Sequence, residues 1–431
     1  MNLLAIIVIL ILFSILMTSF SIEKIDHFPI GLIIGAIAVI LMLFLGVTQG
    51  EIVGFINFST LVFIFAMQII IYFATNDGVL DYITIRLIHL TKGNNRLFFY
   101  MICIFTGTLV AFIEDLTLSL ILVPLIFRTC SVLKIRAGTY MMGMTITINI
   151  GAILTPVSSL KNLVIGSEFK WGFGEYLANM GILFLITLFS TIFLIDRFII
   201  KKEESPSEEN KQLLLSILNP NIVIQNKKYF ITTIGIIIAT FSLMIIGFSP
   251  ALIAIISAGI LILIHSKNYS FSDINKNIEW KLIIVFAILF ILTNSLAYFG
   301  LSELISTSLV SLINNNIFLA VLITLGISSL LSAFLAGTPV TLLLLPIFSA
   351  IISEGGFFPN PIIIAFISGV NMAGNFLPQG SACDLFTLSL AKSYGVKNLD
   401  YKRLLKNGAL FAGLHFLFIL GYTMLYTLIF G

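Results

Sequence analysis

Charge is scarce in this chain. Of its 431 residues only 10% are charged, while 59% are hydrophobic and the mean hydropathy is +1.12. A soluble domain of that length needs far more charge on its surface, so the composition excludes a soluble protein and indicates a polytopic membrane protein whose surroundings are the lipid bilayer. No nucleic-acid partner is expected. Cysteine is nearly absent as well: Cys103, Cys130 and Cys383 stand in apolar segments at spacings that fit neither a disulfide framework nor a metal site. The four histidines, His27, His89, His265 and His415, are scattered, mostly at expected surfaces, and show no metal-ligand spacing. There is no HExxH, no GxSxG and no nucleotide-binding loop, which argues against an intramembrane enzyme or an ATP-driven pump and leaves no cofactor to expect. The opening segment lacks a basic n-region and a small-residue cleavage site, so it reads as a retained span.

Against this apolar background two stretches stand out. Residues 149–162 read NIGAILTPVSSLKN and residues 371–384 read NMAGNFLPQGSACD. Each follows a long apolar run, yet places glycine, proline, hydroxyls and a charge where the bilayer midplane would fall. Proline removes a backbone donor and glycine permits non-helical dihedrals, so each stretch should unwind. Unwound backbone at membrane depth is tolerable only where it lines an enclosed cavity, and the two stretches are therefore expected to form the halves of one site.

They are also related by a constant offset of 222 residues, from 149 to 371. In the same register Pro156 answers Pro378, Ser159 answers Ser381, Asn162 answers Asp384, Pro124 answers Pro346 and Gly78 answers Gly300. A shared offset marks a duplication, with repeats at 1–200 and 229–431 joined by a polar linker at 201–228. Spans are expected at 3–21, 30–48 and 52–75, followed by an amphipathic surface helix between 77 and 96. Next come apolar arms at 97–113 and 116–127 around Glu114-Asp115, the second too short to cross, which suggests a re-entrant hairpin. A broken span from 137 and a further span at 176–195 complete the repeat, and 229–431 copies the plan with a hairpin around 332–346. The fold expected is all-α, two repeats each of five transmembrane helices plus a re-entrant hairpin with one broken helix. Five crossings per repeat is odd, so the repeats should be inverted in topology. With both termini outside and the linker cytoplasmic, nearly all Lys and Arg fall inside, as the positive-inside rule requires of a multi-pass cell-membrane protein.

Inverted repeats with broken helices and hairpins are the plan of secondary transporters that work by alternating access. TPVSSLKN and the FIEDLTLSLILVP hairpin resemble motifs of the ion transporter superfamily, which includes arsenite permeases, D-type sodium/proton antiporters and sodium-coupled divalent-anion symporters; the segment EIVGFINFSTLVFIFAMQIIIYF is similar to the third span of the arsenite permeases. The resemblance implies a homodimer. Where dicarboxylate members carry Ser-Asn-Thr at both hairpin tips, this chain has Glu114-Asp115-Leu116-Thr117 and Ala336-Gly337-Thr338-Pro339.

The site chemistry follows from residue type. Half-helix N-termini attract anions and freed carbonyls coordinate Na⁺. Thr117, Thr155, Ser158, Ser159, Thr338, Thr341 and Ser381 offer neutral hydroxyls, and Asn149, Asn162, Asn371 and Asn375 offer amides. Glu114, Asp115 and Asp384 can neutralise a cation or take up a proton, whereas Lys161 can hold an anion or pair with a carboxylate. The expected function is a secondary active transporter for a small inorganic or organic anion, an oxyanion or a carboxylate, coupled to Na⁺ or H⁺, with no metal beyond such a Na⁺. A Na⁺/H⁺ antiporter is the alternative, since three carboxylates face one lysine.

Overall fold

The computed structural model describes residues 3–20, 27–113, 115–203, 205–217, 220–224, 226–335 and 337–430, and among them every regular element is helical. A first set runs α1 (Leu3–Phe20), α2 (His27–Phe44), α3 (Gln49–Gly54), α4 (Phe58–Asn76), α5 (Val79–Leu90), α6 (Asn95–Leu109), α7 (Asp115–Leu133), α8 (Ala137–Gly151), α9 (Leu160–Phe169) and α10 (Phe173–Phe198). After α11 (Glu208–Ile217) the order returns as α12 (Lys227–Ile245), α13 (Pro250–His265), α14 (Phe271–Lys276), α15 (Trp280–Tyr298), α16 (Leu301–Ile313), α17 (Ile317–Phe334), α18 (Gly337–Gly355), α19 (Pro359–Met372), α20 (Ala382–Ser393) and α21 (Tyr401–Phe430). The bounds of α3 and α14, of α4 and α15 and of α7 and α18 differ by the same 222 residues. Among the described residues, seven helices are long and apolar enough to cross a membrane, α4, α10, α12, α15, α17, α18 and α21.

Local chemistry sets the boundaries. The apolar stretch 52–75, expected as one span, divides into α3 and α4 because Asn57 turns its side chain onto the Thr60 N–H and caps the second helix. Gly78 (φ +74°) and Gly300 (φ +97°) open α5 and α16 in the left-handed region that favours glycine. On α5, Leu80, Thr84 and Ile88 are buried while Asp81, Arg86 and His89 are exposed, which is the expected amphipathic helix. The arm expected to end at residue 127 continues through Arg128 to Leu133, so α7 has 19 residues and is not short. The 201–228 stretch is more than a solvated loop: it holds α11, buries Asn210 and Leu214, and lays Val223 so close to Gly78 that a Cβ there would meet its carbonyl oxygen at 2.5 Å.

The core runs along α8 and α19. Every residue of α8 is buried, as is 361–372 of α19, so these two helices are apolar all round because neighbours enclose them. α6 and α10 flank α8 as α17 and α21 flank α19. By contrast, Ile7, Ile11 and Ile15 of α1, Ile33, Ile37 and Ile40 of α2 and Ile256, Ile260 and Leu263 of α13 are exposed, as lipid-facing side chains would be. Two histidines expected at surfaces are in the interior. His265 and His415 are both 0% exposed, the first paired through Nε2 with Asp77 Oδ2 at 3.0 Å and the second with Thr191 Oγ1 at 2.8 Å. Thr233 donates to the same Asp77 oxygen at 2.6 Å, so the ends of α4 and α13 are tied to α12.

The backbones of α6 and α8 approach closely, and a Cβ on Gly151 would lie 2.0 Å from the Gly107 carbonyl oxygen. Gly151→Ala must push the two backbones apart and is expected to destabilise by about 1–3 kcal/mol or more. Gly181→Ala in α10, where the added methyl meets open space, should be neutral or slightly stabilising. Thermal unfolding of the two purified variants in detergent measures the contrast, and equal melting temperatures would contradict the packing described.

Candidate functional site

Both stretches expected to unwind do so. In the first, α8 ends at Gly151 and α9 starts at Leu160, and residues 152–159 form turns. In the second, α19 ends at Met372, and short 3₁₀ turns at Ala373–Asn375 and Pro378–Gly380 lead to α20. Freed peptide groups in such a place need partners, and the side chains of the two stretches supply them.

In the first break Asn162 donates through Nδ2 to the carbonyls of Ala152 (2.5 Å) and Thr155 (3.0 Å) and to Ser158 Oγ (3.0 Å). Ser158 Oγ donates to the same two carbonyls, at 2.5 and 2.7 Å. Thr155 Oγ1 donates to Ala111 O at 2.5 Å and so fastens the break to the end of the first hairpin arm. Tyr176 donates to Asn162 O at 2.8 Å.

The breaks are joined crosswise. Asn371, before the second break, donates through Nδ2 to Asn162 Oδ1 at 2.6 Å and accepts from Ser159 Oγ at 3.3 Å. Asn149, before the first break, donates to the Asp384 carboxylate at 3.4 and 3.5 Å and accepts from Ser381 Oγ at 3.1 Å. The second pairing is the first displaced by 222 residues at every position, with a carboxylate replacing an amide. Asn371 Nδ2 also donates to Ile367 O at 2.8 Å, and Asn149 Nδ2 to Asn375 Oδ1 at 2.9 Å. Gly374 leaves room for this: a Cβ there would stand 2.8 Å from Ser381 and 3.2 Å from Asn149 Nδ2.

The ionisable groups gather around that crossing. Lys161 Nζ donates to Val370 O at 3.1 Å, on the helix before the second break, and its stem lies over Gly337, where a Cβ would meet Lys161 Cδ at 2.9 Å. Lys161 therefore links the end of the first break, α19 ahead of the second break and the start of α18. Asp384 is 1% exposed. Asp115 opens α7, within electrostatic reach of Lys161 and Asp384. Glu114 lies outside the described residues.

The structure thus brings together Asn149, Ser159, Lys161, Asn162, Asn371, Asn375, Ser381 and Asp384. Register alone sets Asn162 against Asp384, but each is bonded to an asparagine of the other stretch. Thr155 and Ser158 are engaged with backbone carbonyls, and Thr341 donates to Gly337 O one turn back at 2.8 Å. Thr117 and Thr338 are half-buried in the first turns of α7 and α18. Sequence reasoning missed Tyr176, which carries no local signal, and it read Cys383 as an inert thiol. The Cys383 Sγ lies 3.4 Å from Asp384 Oδ1 and 3.1 Å from Ser381 Oγ.

Apolar spans enclosing two facing helix breaks, with the buried Asp384 and the half-buried Lys161 and Asp115 where they meet, define a membrane transporter and not an enzyme. Within that class the chain belongs to the family described as CitMHS, citrate transporter, whose family model matches residues 3–370. It is similar to a 46 kDa membrane protein of Mycobacterium leprae, 23% identical over 346 residues that cover 79% of this chain and 80% of the relative. Among solved structures, the YdaH transporter of Alcanivorax borkumensis aligns with a TM-score of 0.58 at 12% identity, covering 98% of this chain and 97% of that one. MtrF of Neisseria gonorrhoeae, described among antimetabolite efflux pumps, aligns with a TM-score of 0.61 at 13% identity, covering 90% and 84%. These likenesses show a shared fold.

Removal of Asn162 leaves the single Ser158 hydroxyl to serve both the Ala152 and Thr155 carbonyls, and leaves one proton of the Asn371 amide without its acceptor in the interior. Asn162→Ala is therefore expected to destabilise by about 3 kcal/mol or more, since each buried unpaired group costs roughly 1–3 kcal/mol. Thr341→Val loses only an intrahelical bond and should fold normally. Size-exclusion profiles after graded heating distinguish the two; a stable Asn162→Ala would remove that residue from its place in the break.

Proposed function

We propose that the chain is a secondary active transporter that moves a small anion, a carboxylate such as citrate or an oxyanion, by alternating access coupled to Na⁺ or H⁺. The observation that carries this reading is the half-buried Lys161, which follows the first break, donates to Val370 O on the helix before the second and lies over Gly337 at the start of α18. A cation at membrane depth is costly without charged partners, and a transported anion would join Asp115, which lies within its electrostatic reach, as one. The family description supports a carboxylate. Asp384, Asn149, Asn375 and Ser381 supply the oxygens for a coupling Na⁺ or the carboxylate for a coupling H⁺.

The reading includes repeats inserted with opposite topology, supported by the crosswise pairs and by the Lys and Arg distribution. It places the hairpins as re-entrant, both termini outside, the linker in the cytoplasm, the protein in the plasma membrane and two copies in the working unit. The second reading, a cation/proton antiporter, is favoured by Asp115 and Asp384 outnumbering Lys161 at the described crossing.

Proteoliposomes with an imposed Na⁺ or H⁺ gradient test the choice. Citrate uptake should follow one of the gradients, and Lys161→Ala should lower it at least about thirtyfold, the scale of truncating one partner of a buried charge pair. In a cation/proton antiporter the same variant shifts the pH profile of exchange, and citrate does not move. Asp384→Asn places an amide where Asn162 already makes a satisfied pair, so it should fold. It is expected to lose gradient-driven accumulation while retaining citrate-for-citrate exchange. Wild-type uptake in both variants would place the site elsewhere.

A further inference from the structure

One side chain of α4 has an amide that the fold uses only in part. Gln68 Oε1 accepts the Glu279 N–H at 2.6 Å, just before α15. That bond fixes the amide plane, because the reverse orientation would set two donors against each other. The Nε2 group is left buried, with no hydrogen-bond partner among the described residues. A buried donor in that state is unfavourable in the absence of an acceptor.

Gln68 lines a cavity of about 40 Å³ together with Phe112 at the end of the first hairpin arm and Val157, Ser159 and Leu160 of the first break. That exceeds the roughly 10–15 Å³ required by one water, and it admits the oxygens of a carboxylate. Ser159 and Leu160 open α9, whose first N–H groups have no intrahelical acceptor, and Lys161 follows at once. The cavity wall is thus apolar apart from Gln68, Ser159 and the N–H groups at the start of α9. A purely structural role for Gln68 would be the strap to Glu279. In the second set the position 222 residues on is Phe290, buried, so the fold does not require a glutamine there.

We infer that this cavity receives a carboxylate or oxyanion oxygen of the transported anion, and that Gln68 is a specificity-determining donor supplied by α4. This rests on the anion reading above and adds a contact from outside the two broken stretches. Two variants separate the donor from the strap. Gln68→Glu keeps an oxygen for the Glu279 N–H and replaces the donor with negative charge; Gln68→Met removes both at similar volume. With radiolabelled citrate in proteoliposomes, both should raise the half-saturating concentration at least about tenfold, the effect of one hydrogen bond to a charged group. Maximal rate and melting temperature should stay close to wild type. If Gln68→Glu unfolds, Gln68→Met decides. A folded Gln68→Met with wild-type half-saturation overturns the inference and leaves the anion reading standing, whereas a wild-type protein that moves neither citrate, succinate nor phosphate overturns both.

Discussion

Peptide groups that leave their helices in an apolar interior set the constraint on which this structure depends. Each unpaired one costs roughly 1–3 kcal/mol, and residues 152–159 alone would present several. The first break is stable because Asn162 and Ser158 turn back onto the Ala152 and Thr155 carbonyls, and because Thr155 reaches Ala111. Yet Asn162 is itself held by Asn371, and Ser159 by the same residue. The second break leans in turn on Asn149. Neither break is complete without the other, so the interior pairing and the site arise in the same step of folding.

Against a frame that repeats, the departures from repetition carry the charge. Asp384 stands where the other half has Asn162, Asp115 where it has Gly337, Lys161 where it has Cys383, and Gln68 where it has Phe290. In each case the second member fits the same backbone, as the equal bounds of α7 and α18 and of α4 and α15 make plain. The polar or charged member is therefore not demanded by the fold. The helices around the two breaks hold them face to face, and the unmatched residues make the enclosure chemically one-sided.

Much of this was legible in the sequence, for physical reasons that also mark where legibility stopped. Pro156 and Pro378, with their glycines, announce loss of helix wherever they stand, and a constant offset tells which residues share an environment. Hydropathy finds spans because lipid imposes a length. The division of 52–75 at Asn57 escaped that logic, since a capping side chain stops a helix without interrupting the apolar run. Register likewise shows that Asn162 and Asp384 are equivalent, but equivalence is not contact. Their partners come from the opposite stretch, 209 residues away for Asn162 and 235 for Asp384, and no local pattern encodes such pairings. Gln68 was invisible for a related reason: a single amide in an apolar helix acquires meaning only when its neighbours in space are known.

The same reciprocity constrains motion. α7 packs on α20 and α18 packs on α9, so the second arm of each hairpin rests on the helix that follows the break in the other set. α4 packs on α13 and α15 on α2, another reciprocal exchange between the two sets, and α4 also packs on α9 beyond the first break. The Asn149 bonds tie α8 to α20 and the Asn371 bonds tie α19 to α9, and separating either pair would leave buried polar groups unpaired. Gln68 belongs to α4 and faces the Ser159 end of the first break across a cavity, with no hydrogen bond bridging it. On the anion reading proposed above, a substrate filling that cavity would bond to α4 and to the first break, and its arrival or departure would change the free energy of their relative placement. Coupling between binding and conformational change would then require no long-range path, only an anion large enough to touch both walls.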